Sequence, residues 1–154
     1  MSDDQIQTAV AAAIRSLTDE SSTLNFDSVH ERSTAHRLAV HFDPLFTGWN
    51  VDCEYDRDGQ LQKALMGIAG CDNRKPTDAI LPDIIVHHRQ GHGRDNNLVV
   101  VEIKKHTPED RCDTRKLELL TDPGGHYQYQ VGLYINIDNG GFDCTWYKDG
   151  ARCR

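Results

Sequence analysis

Two neighbouring stretches decide the expected fold: ILPDIIVHHR, residues 80–89, and NNLVVVEIKK, residues 96–105. Both are rich in Val and Ile, which favour β-strands. A polar segment with two glycines separates them. The pattern therefore predicts strands over 81–88 and 98–104 that pair as an antiparallel hairpin.

Each of these strands carries charge where a buried strand should be apolar. Because side chains alternate between the two faces of a strand, Glu102 and Lys104 share one face and Val99 lies on the other. Asp83 directly follows Pro82 at the start of the first strand. In a hairpin, that start lies beside the end of the second strand. We therefore expect two carboxylates and one ammonium group to converge at one end of an apolar sheet.

That grouping suits a divalent metal ion. Carboxylate oxygens are hard ligands, and Mg²⁺ keeps several waters while it binds only one or two protein carboxylates. A metal bound in this way polarises a phosphate and lowers the pKa of a bound water. A nearby ammonium group can stabilise the charge that develops on the phosphate oxygens. The grouping therefore predicts chemistry on phosphate esters.

The rest of the chain supplies further helices and strands. The pattern predicts helices over 1–18, from Ser28 to about Asp43, over 60–69 and over 109–121. It predicts further strands over 49–56, 127–137 and 142–148, with turns at 58–59 and 138–141 and a loop over 70–79. This order predicts an α/β fold with a central mixed sheet and helices on its faces.

A single domain is expected for 154 residues. Within it, residues 1–18 form an additional N-terminal helix, 28–137 form the core, and 138–154 form a C-terminal hairpin strand and tail.

The helix after residue 28 raises a question about one acid. Ser28 as N-cap, followed by Glu31 three residues later, has the pattern of a capping box. Glu31 also falls on the helical stripe of Ala35, Leu38 and Phe42, and an acid on a core-facing stripe needs a reason. A capping role and a role in a site both remain open, and they can coexist.

The charge distribution limits the class of partner. The net charge is −7, which argues against coating of nucleic acid by bulk charge. Residues 1–73 carry a net −7, residues 74–116 a net +2 and residues 117–154 a net −2. The net-basic segment is therefore the one that contains the two strands, and four of the eight histidines also lie there.

Cysteine usage and the N-terminus predict a cytoplasmic protein. The five cysteines are odd in number and form no CxxC pair, so free thiols are expected. A zinc site from Cys71 or Cys112 with His87, His88 or His92 has no supporting spacing. The N-terminus lacks the basic start and apolar core of a signal peptide, and no apolar run approaches the length of a membrane span.

The residues of the two strands resemble the PD-(D/E)XK nuclease superfamily, which includes restriction endonucleases and junction resolvases. The matching residues are Pro82-Asp83 and, about twenty positions later, Glu102-Ile103-Lys104. The likeness extends over the order of elements from the helix at 29–43 to the strand at 127–137, and it implies an α-β-β-β-α-β core.

The resemblance also implies roles for these residues. Asp83 and Glu102 would bind a catalytic Mg²⁺ or Mn²⁺, with the carbonyl of Ile103 as a further ligand, and Lys104 would act on the attacking water. A glutamate on the first core helix often joins such a site, and Glu31 matches it. A Gln or Lys beyond the motif strand is also common; the candidates are Lys116, Gln128 and Gln130.

The expected substrate is nucleic acid, most simply DNA. The predicted contacts to it are Arg89, Arg94, Lys105 and Lys116. The acidic overall charge fits a protein whose DNA contacts are completed by a second copy of the chain or by another subunit. It also fits a rival function, that of an inactive nuclease-fold protein that binds nucleic acid or a partner subunit. The complete set of Asp83, Glu102 and Lys104 favours the enzyme, because a site that no longer catalyses a reaction tends to lose charged residues that are unfavourable to bury.

Simpler interpretations exist for single residues. Glu102 and Lys104 could lie on a solvated sheet edge, where the charge of Lys104 opposes aggregation. Asp83 could cap a loop. Tyr127 and Tyr129 could stack on bases, although packing is the more common role for strand tyrosines. His87 and His88 are expected at the surface, with phosphate contact or proton transfer as the alternative. No GxxxxGK[ST] motif and no HExxH motif occurs, so neither a P-loop NTPase nor a zinc protease of that type is supported.

Overall fold

A computed structural model describes residues 1–20, 29–54, 57–58, 61–62, 71 and 80–153. These residues contain the helices α1 (Asp3–Glu20), α2 (Glu31–Phe42) and α3 (Arg111–Thr121). The strands are β1 (Asn50–Cys53), β2 (Arg57–Asp58), β3 (Leu61–Gln62), β4 (Ile84–His87), β5 (Asn97–Lys105), β6 (Val131–Asp138), β7 (Gly141–Lys148) and β8 (Ala151–Arg152). The predicted α/β class is confirmed.

One mixed sheet organises the fold. Its strand order is β1-β4-β5-β6-β7-β8, while β2 and β3 pair separately. Strands β4 and β5 are antiparallel, as the two quoted stretches predict, with Ile84 opposite Val101 and Ile85 opposite Val100. Among the described strands of this sheet, only β5 and β6 pair in parallel. A parallel pair needs a crossover connection, and α3 supplies it.

The two faces of the sheet bury different clusters. One face carries Ile84, Val99, Val101 and Ile103 and packs with apolar residues of α1 and α2. The opposite face carries Ile85 and Val100 and packs with Leu117 and Leu120 of α3. The predicted alternation along β5 is therefore confirmed, and Glu102 and Lys104 belong to the α3 face.

Helix starts differ from the prediction. The N-cap of α2 is His30, which makes no side-chain cap bond, and Glu31 is the first helical residue. The predicted capping box of Ser28 and Glu31 is therefore wrong, because Glu31 is at N1 of the helix and a capping box requires the acid at N3. Ser28 itself lies outside the described residues. A reciprocal box occurs instead at α1. There, Ser2 N donates to Gln5 Oε1 at 2.8 Å and Gln5 N donates to Ser2 Oγ at 3.3 Å.

Turns at the C-terminal hairpins follow the expected chemistry. Asn139 and Gly140 both have positive φ angles, 49° and 75°, as a two-residue type I′ turn requires. Asp149 and Gly150 repeat this geometry at 50° and 78° and lead into β8, which the sequence analysis did not predict. Strand β6 begins at Val131 and not at residue 127.

Tyr127 and Tyr129 precede β6. Both are buried in the cluster beneath α3. They therefore pack in the core and offer no exposed ring on which a base could stack.

Three further expectations are corrected. Residues 61–62 pair as β3 with β2, so the helix expected over 60–69 is wrong there; its other residues lie outside the described part. Cys71 and Cys112 form a disulfide, with Cα atoms 5.5 Å apart, so these two cysteines are neither free thiols nor zinc ligands. His87 is buried, and its Nε2 lies 3.0 Å from Asp52 Oδ2, so it is not a surface histidine.

The cytoplasmic location stays a prediction, although the disulfide removes the support that free thiols gave it. None of the described helices is long and apolar enough to cross a membrane.

Candidate active site

Asp83 lies just before β4 and continues the pairing of β4 with β5 through its side chain. Its Oδ2 accepts a hydrogen bond from the backbone N–H of Ile103 at 2.7 Å. Its backbone carbonyl accepts from Glu54 N at 3.2 Å, so the residue is fixed from both neighbouring strands. Burial raises the pKa of the Asp83 carboxyl group, and the hydrogen bond from Ile103 partly offsets that rise.

Pro82 affects the carbonyl group of Ile103. Continuing the register of Ile84 with Val101 by two residues places Pro82 opposite Ile103. The N–H of Ile103 points towards this side of β5, and in a strand the carbonyl of the same residue points the same way. Proline has no N–H to donate, so Pro82 cannot form the ladder bond that this carbonyl would otherwise accept.

Glu102 is a buried acid with only half of its carboxylate paired. The residue is 3% exposed. Its Oε2 lies 2.8 Å from Lys116 Nζ, while Oε1 has no hydrogen-bond partner among the described residues. Burial raises the pKa of Glu102 to about 8; Lys116 opposes the rise, and the charges of Asp83 and Asp113 add to it.

Two lysines and a third acid complete a group that we call the charge cluster: Asp83, Glu102, Lys104, Asp113 and Lys116. Lys116 Nζ lies 3.1 Å from Asp113 Oδ1, and Lys104 Nζ lies 3.3 Å from Asp113 Oδ2. Burial lowers the pKa of each lysine, but the carboxylates around them outweigh it and raise both pKa values above the ordinary range. Both lysines are therefore cationic at neutral pH.

Asp113 is the member of the charge cluster that the sequence analysis missed. It lies in the first turn of α3, three residues before Lys116. The i,i+3 spacing of an acid and a lysine on a helix was visible in the sequence. Nothing in the sequence indicated that this pair would face Glu102.

Glu31 lies near the cluster but not in its ion pairs. Its Oε1 accepts a hydrogen bond from the backbone N–H of Lys105 at 3.1 Å, just past Lys104. The Lys105 ammonium group donates to the carbonyl of Val29. The charge of Glu31 contributes to the raised pKa of Lys104. The structure therefore places α2 against the end of β5 through Glu31.

The other predicted site residues are distributed more widely. Gln128 donates to Pro123 O and Gly125 O, and Gln130 donates to Arg94 O, so among the three candidates only Lys116 contacts Glu102.

The predicted nucleic-acid contacts also lie apart. Arg89 forms two hydrogen bonds to Asp52, and Arg94 pairs with Asp149. Lys116 is buried in the charge cluster as a partner of Glu102, and only 7% of the residue is exposed.

Outside the charge cluster, the described residues form no metal-binding group of side chains but do form a separate cleft. Among the residues that the structure describes, no group of three or more His, Cys, Asp or Glu side chains has the arrangement of a metal site. The ligands expected from the sequence, Asp83, Glu102 and the carbonyl of Ile103, include only two such side chains and so would not form a group of this kind. A cleft of about 380 Å³ lies between α2 and β1, lined in part by Asp52 and Cys53, and contains no member of the cluster.

The resemblance to the PD-(D/E)XK superfamily rests on Asp83, Glu102 and Lys104 and not on a match to a known protein. No family model matches the chain, and a search of the curated proteins finds none that is similar to it.

The raised pKa of Glu102 gives a testable pH dependence. Without metal, burial raises the pKa of Glu102 to about 8 in the folded protein, whereas the pKa in the unfolded chain is near the ordinary value of 4.5. The stabilising contribution of this group is therefore present below about pH 4.5 and is lost as the pH rises through about 8. Urea unfolding in EDTA should show that wild type loses more stability than Glu102→Gln between about pH 5 and pH 9. Equal losses in the two proteins would show that Glu102 is ionised throughout this range.

Proposed function

We propose that this chain is a metal-dependent nuclease that hydrolyses phosphodiester bonds, most simply those of DNA. The observation that carries the proposal is the half-paired carboxylate of Glu102, which lies close enough to Asp83 for the Asp83 charge to raise its pKa. Burying an acid with an unpartnered oxygen is costly. A cation between Glu102 and Asp83 would remove that cost, and so explains why both acids are kept at the end of an apolar sheet.

The donor set suits Mg²⁺ or Mn²⁺. The Glu102 Oε1 atom, the second oxygen of Asp83 and the carbonyl of Ile103 are all hard oxygen donors, and water would fill the remaining positions. With Glu102 ionised, as metal binding would require, the charge cluster has three carboxylates and two ammonium groups. Zinc is less well matched, because it prefers nitrogen and sulfur ligands.

The fold supports the same proposal. Apart from β2 and β3, which pair separately between β1 and β4, the order α2, β1, β4, β5, α3, β6 has three antiparallel strands followed by a crossover helix and a parallel strand. This order is the one expected for a restriction-endonuclease-like α-β-β-β-α-β core, with α1 and the strands β7 and β8 added at its ends.

The residues of the cluster divide the chemical tasks between them. A bound Mg²⁺ would polarise the phosphate and make its coordinated water more acidic. Lys116 is buried and holds Oε2 of Glu102, so it orients that carboxylate. The Lys104 side chain is 33% exposed and can therefore reach a phosphate at the surface, where its charge would stabilise the oxygens as they become more negative.

A second function, binding nucleic acid or a partner subunit without cleavage, is favoured by the acidic overall charge of the chain. Arg89 and Arg94 already pair with Asp52 and Asp149, which reduces the charge that they offer to a phosphate backbone. The net charge of the chain is −7. If DNA is the substrate, a second copy or another subunit would supply part of the positive surface.

A cleavage assay separates the two functions. Purified protein is incubated with plasmid, linear DNA and RNA in Mg²⁺, Mn²⁺ or EDTA. We expect metal-dependent cleavage of DNA that disappears in EDTA and in Glu102→Gln. Retarded migration of nucleic acid without cleavage, in every metal, would favour the binding protein.

Metal binding has its own test in Asp83→Asn. At about ten times its dissociation constant, a ligand of the folded state stabilises it by about 1.4 kcal/mol. For a chain of this size, that corresponds to a rise in Tm of about 3–6 °C. We expect this rise with Mg²⁺ in wild type and in Asp95→Asn, a control on the exposed β4–β5 loop. We expect it to disappear in Asp83→Asn; an unchanged response there would exclude Asp83 as a ligand.

A further inference from the structure

A single carboxylate connects the two lysines of the charge cluster. The oxygens of Asp113 lie 3.1 Å from Lys116 Nζ and 3.3 Å from Lys104 Nζ. One of these lysines comes from α3 and the other from the end of β5. Asp113 therefore joins the crossover helix to the strand that carries Glu102.

The backbone of Asp113 is itself firmly placed. Asp110 is the N-cap of α3, and its Oδ1 accepts hydrogen bonds from Cys112 N at 2.9 Å and from Asp113 N at 3.0 Å. Cys112 is tied to Cys71 by the disulfide. The first turn of α3 is thus fixed by the Asp110 cap, which bonds to the backbone of Cys112 and Asp113, and by the disulfide of Cys112.

An ordinary stabilising role does not account for this arrangement. An acid in the first turn of a helix interacts favourably with the helix dipole, and an i,i+3 pair with a lysine adds a few tenths of a kcal/mol. Both effects operate on a solvent-facing side chain. The Asp113 side chain is only 11% exposed, and it also reaches a lysine of another element.

We propose that Asp113 is a positioning residue of the site, an inference that rests on the proposed nuclease function. It keeps Lys116 against Oε2 of Glu102, and so leaves Oε1 free to bind the metal. It also holds Lys104, whose long side chain has many rotamers, where that ammonium group can meet the phosphate. Asp113 itself touches neither the metal nor the substrate.

The kinetic test uses variants with matched chemistry. In Asp113→Asn, one oxygen remains but the charge and the second acceptor are lost. Loss of a residue that orients groups of a metal site typically lowers activity about 10–100-fold. We expect this loss in kcat, with KM unchanged because affinity for DNA is spread over many contacts. Asp113→Glu should recover part of the rate. Glu118→Gln, a charge removal on the same helix in an exposed pair with Arg115, should behave as wild type.

A second measurement does not depend on activity. The ¹⁵N signals of lysine ammonium groups are sharp when ion pairs hold these groups in place. We expect sharp Lys104 and Lys116 signals in wild type and in Glu118→Gln, and broadened ones in Asp113→Asn. Unchanged signals together with an unchanged kcat in Asp113→Asn would overturn the positioning role. If wild type cleaves nothing, the nuclease proposal fails, and the signals alone then decide whether Asp113 positions the two lysines.

Discussion

Lys104→Ala is expected to cleave DNA about 10²–10³ times more slowly than wild type, the usual cost of losing one well-placed electrostatic donor. The Lys104 ammonium group lies on the face of β5 that carries Glu102, and it pairs with Asp113 at 3.3 Å. It is partly exposed and contributes little to the core, so the fold should survive the change. Binding of DNA should change little, because the affinity for a phosphate backbone is distributed over many basic residues.

Two measurements on Lys104→Ala are needed together. One is the cleavage rate with Mg²⁺, and the other is DNA binding with Ca²⁺ in place of Mg²⁺. Lys148→Ala is a suitable control, because Lys148 is similarly exposed and pairs with Asp3 far along the chain. Loss of cleavage with binding retained is the expected result. Loss of both, or of neither, would argue against a catalytic role for Lys104.

Reduction of the Cys71–Cys112 disulfide is expected to lower Tm by about 8–16 °C. The bond closes a loop with a sequence separation of 41. In the chain-entropy model, a loop of this length restricts the unfolded chain enough to stabilise the fold by about 4 kcal/mol. For a chain of this size, each kcal/mol changes Tm by about 2–4 °C.

Thermal unfolding with and without a phosphine reductant measures this effect. Cys112→Ser should melt near the temperature of the reduced wild type and should not respond to reductant. Cys153→Ser, which removes an exposed thiol, should melt as wild type does and keep the response. A wild type whose Tm is the same in both conditions would show that the bond does not form or does not constrain the unfolded chain.

Much of the sheet was predictable from local pattern. The alternation of apolar residues in 80–89 and 96–105 predicts both strands and the face of β5 on which Glu102 and Lys104 lie. The Asn139-Gly140 turn was recognised because its residues tolerate positive φ angles. The same signal at Asp149-Gly150 was available and would have predicted β8. Strand ends were less accurate, because backbone turns such as the positive φ of Gln128 have no clear sequence signature.

The candidate site was predictable only in part. Asp83, Glu102 and Lys104 are close in sequence or across a hairpin, so their proximity follows from strand geometry. Asp113 and Lys116 lie on a helix, and their contact with Glu102 depends on how α3 packs against β5. The Cys71–Cys112 pair depends on a tertiary approach that spacing does not encode. The burial of His87 likewise depends on Asp52, which reaches it from the adjacent strand.

The disulfide also changes the topology of the chain around the site. Together with the backbone from Cys71 to Cys112, it closes a covalent ring that contains Asp83, Glu102 and Lys104. A protease that cuts after Arg94, in the loop between β4 and β5, places Asp83 and Glu102 on different peptides. Those peptides remain joined through the two sulfurs. The two acids proposed to bind the metal therefore stay within one covalent molecule after this single cut, and the cut separates them once a reductant also opens the disulfide.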